Sequence, residues 1–398
     1  MRIAVWAACA AAVVFPACGS KKPSYEASAV TAPSGASGAH EAEGQYLRRD
    51  LVSDGFLPAE QPPDADLVNA WGLAALPTSP WWIADNGTAL STLYDGDGEK
   101  QALRVAIPGA GGAPAAPTGL VANTTTDFVI MMGPTTAPAR FMFASEDGTL
   151  SAWTLTTPPS TTAVGVIDNS ASGAVYKGLS LASTAAGSRL YATNFHEGVV
   201  EVFDGAFAPV PSPGAFMDPA IPAGFAPFGI LAAGGVVYVT YAKQDADRHD
   251  DVQGPHLGFV DAYATDGTFL HRVASRGKLD APWGLAVAPA DFGPHSGRLL
   301  VGNFGDGHVV SYALHGDRGD GRRDRIDMAE RGRDDDDDGG GAGRYLTARG
   351  GRVTIDGLWA LAFGNGARAG PTNALFFTAG PGDEAHGLFG RIDFVPGD

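Results

Sequence analysis

From about residue 45 onward, short apolar runs alternate with polar positions at a period of two, and Gly, Pro, Asn and Asp cut the runs. That is the pattern of half-buried strands separated by turns. One unit recurs. It opens on a bulky or proline residue beside Gly and continues as an alternating strand: Ala70-Trp71-Gly72-Leu73, Pro117-Thr118-Gly119-Leu120, Tyr176-Lys177-Gly178-Leu179, Pro227-Phe228-Gly229-Ile230, Pro282-Trp283-Gly284-Leu285 and, more loosely, Leu358-Trp359-Ala360-Leu361. A second short strand follows each start, over 81–84, 140–144, 189–193, 236–241, 298–302 and 374–378. A third follows over 90–94, 149–155, 199–203, 258–263, 308–314 and 387–394. The aligned positions are 47, 59, 51, 55 and 76 residues apart, near the spacing of propeller blades once loop insertions are allowed. The pattern predicts an all-β, six-bladed β-propeller over 45–396. Segment 46–52, with Leu47 and Leu51, precedes the first repeat and is expected to return as the outer strand of the sixth blade, closing the ring. Two separate β domains fit less well, because the repeats run on from Asn69 without a linker.

The longest interval holds a polar insertion at 316–343 with five aspartates, Asp334 to Asp338. It lacks the spaced ligands and Gly turn of a calcium loop and reads as a solvated spacer. At the other end, a basic Met1-Arg2-Ile3, an apolar run over 4–14 and Phe15-Pro16-Ala17-Cys18 have the layout of an export signal, too short to span a membrane. A small residue before cysteine resembles the bacterial lipobox, which makes 1–17 a lipoprotein signal peptide and Cys18 the lipidated anchor; an ordinary cleaved signal, leaving a secreted protein, is the other reading. Cys9 lies in the removed segment, so no intramolecular disulfide forms. Gly19 after the cysteine points to the outer membrane, and the Ser, Ala, Gly and Pro composition of 18–44 suits a flexible tether. With 55 Gly and 28 Pro, long helical bundles are excluded. The formal charge of −17 excludes nucleic acid as partner and leaves the lipid as the route to a membrane.

In a propeller blade the first strand lies innermost and the second runs back beside it. Residues before the Gly step and after the second strand therefore share one face. That face would collect Asn69, Trp71, Asp85 and Asn86 from blade 1, Glu146 and Asp147 from blade 2, and Asn194 and His196 from blade 3. Blade 4 would add the 242–256 loop with Gln244, Asp245, His249, Asp250 and Asp251; blade 5 would add Trp283, Asn303, Asp306 and His308, and blade 6 Trp359, Glu384 and His386. Amides, carboxylates and imidazoles suit a divalent cation such as calcium, or a polar ligand. Asn and Asp also populate tight turns for purely structural reasons. An imidazole beside carboxylates makes His249 and Asp250 the acid/base candidates, although Asp247-Arg248 equally suits a solvated turn. Trp71, Trp283 and Trp359 read as wedges between blades or as a stacking platform for a ligand. No Gly-x-Ser-x-Gly elbow, P-loop or His-Glu-x-x-His is present.

Several longer stretches occur in order: Val68-Asn69-Ala70-Trp71-Gly72, Ala84-Asp85-Asn86-Gly87-Thr88, the 241–251 loop, Ala281-Pro282-Trp283-Gly284-Leu285, Val301-Gly302-Asn303-Phe304-Gly305-Asp306-Gly307 and Ile355-Asp356-Gly357-Leu358-Trp359. Over about 46–394 the chain resembles a family of secreted bacterial propellers without an assigned reaction, relatives of the NHL-repeat propellers, some with a PEP-CTERM sorting tail. It departs from them in ending at Val395-Pro396-Gly397-Asp398 and in carrying the acidic insertion. The resemblance implies an extracytoplasmic binding or scaffold module for a polar small molecule, carbohydrate or envelope protein. It also implies an alternative, a metal-dependent hydrolase like the gluconolactonase and regucalcin lactonases, in which Glu146, Asn194 and Asn303 hold the cation and Asp250 or His249 acts as base. Fold alone does not choose between them.

The N-terminal reading has a direct test. Cells expressing the full chain should incorporate labelled palmitate into the protein, and Cys18→Ser should abolish the label and release the protein into the soluble fraction.

Overall fold

The computed structural model describes residues 44–314 and 343–397. The signal peptide, Cys18, nearly all of the tether and nearly all of the acidic insertion lie outside the described residues. Six antiparallel sheets follow one another along the chain. Blade 1 comprises Ala70–Ala74, Trp81–Asp85, Leu90–Tyr94 and the short Val105–Ala106; blade 2 comprises Pro117–Ala122, Phe141–Ser145, Thr149–Trp153 and Val164–Asp168. Blade 3 has three strands, Tyr176–Thr184, Gly187–Asn194 and Val199–Asp204, and blade 4 has Phe225–Ala233, Val236–Lys243, Phe259–Ala264 and Phe269–Ser275. Blade 5 comprises Pro282–Val287, Arg298–Asn303, Val309–Ala313 and Arg344–Tyr345. Blade 6 comprises Leu358–Phe363, Ala374–Ala379 and Leu388–Val395, with the N-terminal Gln45–Ser53 as its fourth strand. Each inner strand packs on the next and the sixth returns to the first, so the ring is closed.

The closing strand pairs Gln45 with Val395 through to Ser53 with Leu388, with a bulge between Asp50 and Val52. Its buried residues are Tyr46, Leu51 and Val52, whereas Leu47 is half exposed. The bulge adds a residue there, so Leu51 and Val52, neighbours in sequence, are both buried. Tyr46 fixes the strand by donating its hydroxyl to the Phe292 carbonyl at 2.6 Å and packing on Phe292 and Phe394.

The recurring Gly has a steric origin. At the axis the inner strands approach so closely that a Cβ on Gly229 would lie 2.0 Å from the Trp283 carbonyl oxygen of the next blade. One on Gly284 would lie 2.3 Å from the Trp359 carbonyl oxygen. All six inner strands carry a register irregularity at this step, which takes the local backbone out of the ladder. A threonine on the second strand satisfies the freed amides of three blades. Gly178 N donates to Thr193 Oγ1 (2.6 Å), Gly229 N to Thr240 Oγ1 (2.8 Å) and Ala360 N to Thr378 Oγ1 (3.1 Å). Thr193 donates onward to the Phe228 carbonyl (2.7 Å) and Thr378 to the Trp71 carbonyl, which ties one blade to the next.

Blade 3 ends on its third strand because the chain that follows carries Pro209, Pro211 and Pro213, which have no amide to give to a ladder. One bond, from Val210 N to the Val202 carbonyl at 2.7 Å, covers part of that edge. The residue after each Gly step points into the axial channel. Leu73, Leu120, Leu179, Ile230, Leu285 and Leu361, one per blade, line an apolar hollow of about 170 Å³ there.

Gly229→Ala should destabilise the protein by about 3 kcal/mol, because the clash is with backbone that has no room to yield. Gly165→Ala, where a Cβ meets no atom within 4 Å, should be within about 0.5 kcal/mol of the parent. Chemical denaturation of the two variants measures the difference.

Candidate functional site

The residue before each Gly step points to the other side of its strand and meets its counterparts at the axis. These six are Trp71, Thr118, Lys177, Phe228, Trp283 and Trp359. Trp71 stacks on Trp359 with ring centroids 3.4 Å apart, and Trp283 meets both edge-on at 5.6 and 5.7 Å. Phe228 closes one side of the group, and Phe304 stacks on Trp359 at 3.9 Å. All three tryptophans are buried, with 2%, 8% and 1% exposure for Trp71, Trp283 and Trp359. They pack between the inner strands of neighbouring blades and do not form an open stacking platform. They form a plug across the axis, and the plug is the floor of the site.

Lys177 is the one charged member of this set. Its side chain is 1% exposed, its ammonium lies 5.2 Å from the Trp71 ring centroid, and it bonds to Glu146 Oε1 and, at 3.1 Å, to Asp250 Oδ1. The two carboxylates outweigh the cost of burial and hold the lysine above its ordinary pKa, so it stays charged. From Glu146 a chain of side-chain hydrogen bonds crosses the floor. Asn86 Nδ2 donates to Glu146 Oε2 (3.1 Å), and Asn69 Nδ2 donates to Asn86 Oδ1 (3.2 Å) and Glu384 Oε2 (2.7 Å). Trp359 Nε1 donates to Asn69 Oδ1 at 3.0 Å, which fastens the network to the plug. Asn69 and Glu384 both sit in the left-handed region, at φ 46° and 65°, a backbone cost of about 1 kcal/mol or more each that the surroundings must hold in place.

The blade 4 loop folds over this network as a hairpin extension. Asp245 Oδ1 accepts the His249 amide at 2.9 Å, Asp245 N donates to the Asp250 carbonyl at 2.8 Å, and Gln244 Nε2 donates to the Phe195 carbonyl of blade 3. Gln244 and Asp245 thus shape the loop, and its end carries the chemistry. His249 Nδ1 lies 3.0 Å from Asp250 Oδ1. Burial pushes Asp250 up, but Lys177 and the bond to His249 outweigh it and hold the carboxyl below its usual range. Asp251 is different: desolvation pushes it up to about 7 against the pull of Lys177, with Glu384 and Asp250 adding to the rise. Its Oδ2 is buried without a hydrogen-bond partner among the described residues. Burial likewise raises Glu384, against its bond from Asn69.

Asn69, Asn86, Glu146, His249, Asp250 and Glu384 therefore converge, on a floor that includes Trp71 and Trp359. Other candidates lie elsewhere. Asp85 is fully buried inside blade 1, where Oδ2 accepts the Thr92 amide at 2.9 Å. Asn194 donates to Glu201 (2.7 Å) and accepts the amides of Val175 and Glu197, and Asn303 donates to the Lys278 carbonyl (2.7 Å) and Asp306 (2.9 Å). These three occupy one repeat position, opposite Ala70, Tyr176 and Pro282, and they brace their own blades. His196 stands half-exposed on blade 3, its carbonyl within reach of Gln244. The set Glu146, Asn194 and Asn303 is thus not assembled as a cation site. Ligand atoms of Glu146, His249 and Asp250 do lie within 4.8 Å of one another, but the Lys177 ammonium already bonds to two of those carboxylates, so the residues present do not fit a resident divalent ion.

No family model matches the chain. It is 30% identical over 336 residues to the uncharacterised protein R648 of Acanthamoeba polyphaga mimivirus, across 83% of this chain and 76% of that one. The chain belongs to the family of that protein. Protein L690 of the same virus, also uncharacterised, is 32% identical over 262 residues, covering 64% of this chain and 68% of that relative. Among solved structures the chain is similar to virginiamycin B lyase from Staphylococcus aureus, with TM-score 0.47 and 10% identity over 88% of this chain and 100% of that one. A streptogramin B lyase gives TM-score 0.46 and 9% identity over 89% and 98%.

The perturbed carboxyl gives a pH dependence with a definite sign. Asp251 binds its proton more tightly when folded than when unfolded, so its contribution favours the folded state below pH about 4 and is lost as pH rises through about 7. Asp251→Asn should therefore raise the melting temperature at pH 8 and leave it nearly unchanged at pH 4, measured by scanning calorimetry at both.

Proposed function

We propose that the protein is an extracytoplasmic binding propeller whose ligand is an uncharged, hydroxyl-rich molecule, a carbohydrate, seated on the polar mouth above the tryptophan plug. The observation that carries this reading is the cross-blade network Glu384-Asn69-Asn86-Glu146-Lys177-Asp250. It supplies carboxylate acceptors and amide groups on a rigid floor, the donor and acceptor set that vicinal hydroxyls engage. The carboxylates around a single ammonium repel an anionic ligand, and the protein's charge of −17 adds to this. Lys177, held protonated, is not available as a nucleophilic amine or a base. In this reading the propeller works at the cell envelope, held by a lipid on Cys18 or released as a secreted protein. The metal-dependent hydrolase is the less favoured alternative, because Asn194 and Asn303 are engaged within their own blades.

Isothermal titration of the protein with a panel of neutral and amino oligosaccharides should find a binder. Asn69→Ala and Glu384→Gln should each weaken that binder at least about tenfold, the effect of losing one or two buried hydrogen bonds. Binding that survives both substitutions, or a panel without any binder, would count against the reading.

A further inference from the structure

The mouth has one feature that ligand binding does not require: a lysine on an inner strand, at the slot filled by Trp or Phe in four other blades, extends to the site and ends between a carboxylate of blade 2 and one of blade 4. We propose that the Lys177 ammonium is a built-in replacement for a divalent metal ion, and that a variant without it acquires a metal site made of Glu146, His249 and Asp250.

The geometry supports the exchange. Two ligand atoms 4.8 Å apart are both reached by an ion about 2.4 Å from each, and oxygen and imidazole ligands bind divalent ions at about 2.0 to 2.6 Å. Three such atoms are all reached from a point at most about 2.8 Å from each, so a shift of a few tenths of an ångström by the exposed loop brings the three groups onto a single ion. The ammonium bonds to Glu146 Oε1 and Asp250 Oδ1, two of the oxygens such an ion would need, so ion and lysine exclude each other. The partners also differ in burial, with Lys177 at 1%, Glu146 at 16%, His249 at 46% and Asp250 at 64% side-chain exposure. The cation is thus the buried, fixed member, and the carboxylate and imidazole on the blade 4 loop close over it from solvent. Unlike an ion, the ammonium is covalently part of the ring. It neither dissociates nor depends on the metal content of the medium, so the mouth stays formed in the presence of a chelator. The set Glu, His and Asp belongs to the donors that bind manganese and zinc, which makes these the probes.

The experiment compares the mature chain with Lys177→Ser, and with Lys177→Ser combined with Asp250→Asn, each freed of metal by EDTA and dialysed. Melting temperature is followed with EDTA, 1 mM MnCl2 or 1 mM ZnCl2, and bound metal is counted by mass spectrometry. The parent should show the same melting temperature in every condition and hold no stoichiometric ion. Lys177→Ser should melt lower in EDTA, rise by about 5 °C or more with Mn2+ or Zn2+, and hold one ion per chain. Adding Asp250→Asn should remove that rise. Should Lys177→Ser fail to fold without metal, the yield of refolding in MnCl2 against EDTA reads the same exchange. A parent that takes up one ion per chain with a rise in melting temperature overturns the proposal. So does a folded Lys177→Ser that takes up none.

Discussion

Six inner strands crowd around one axis, and at the point of closest approach five of them carry Gly and the sixth only Ala360. With the Trp283 carbonyl oxygen 2.0 Å from where a Gly229 Cβ would stand, the inner strands touch backbone to backbone, and the rest of the architecture follows from that contact. The register breaks at the step, the freed amides of three blades turn to threonines, and the residues on either side are sent to opposite ends of the axis. The residue before the step builds the tryptophan floor, and the residue after it builds the aliphatic ring. The floor is thus made by the same constraint that makes the ring close.

Setting a lysine into that floor runs against its packing. A buried charge is tolerated when its partners are close and well aligned, and losing one partner of such a pair costs about 3 to 5 kcal/mol. Lys177 meets the condition by drawing carboxylates from two other blades and by lying against the face of Trp71. The electrostatics of the mouth therefore depend on the packing of blade 3 between its two neighbours, because the groups that neutralise the lysine come from blades 2 and 4. Glu384 and Asp251, which lack such a partner, have their proton affinities raised. The Lys177 ammonium bonds directly to two of the four carboxylates, and its weaker pull on Asp251 and Glu384 does not offset their burial.

Much of the fold was legible because the axial contact repeats. All six inner strands, and the strand that closes the ring, lie where the Gly steps and the segment before Asn69 put them. The bulge that buries both Leu51 and Val52 was not legible, since a period of two does not show it. At the site, Asn69, Asn86, Glu146, His249 and Asp250 were legible from the strand ends that carry them. Asp85, Asn194 and Asn303 looked alike, but their shared repeat position points into the blade. Which way a side chain leaves the end of a second strand depends on the partners that the third strand and the turn before it present, here Thr92, Glu201 and Asp306. Lys177 went unread because Tyr-Lys-Gly-Leu is unremarkable alone. Aligned with the Trp and Phe of the other repeats, it stands out as the one cation in an aromatic slot.

The closing strand carries a consequence for biogenesis. Gln45–Ser53 is the first part of the propeller to be synthesised, yet its hydrogen-bonding partner Leu388–Val395 is the last. Until that late segment arrives, the early strand has an open edge and an unburied Tyr46, and blades already formed have no sixth neighbour. Completion is therefore a post-translational event in which two distant ends of one chain find each other, a slow step for a polypeptide whose contacts are so far apart in sequence. The molecule cannot finish folding before its C-terminal strand is free.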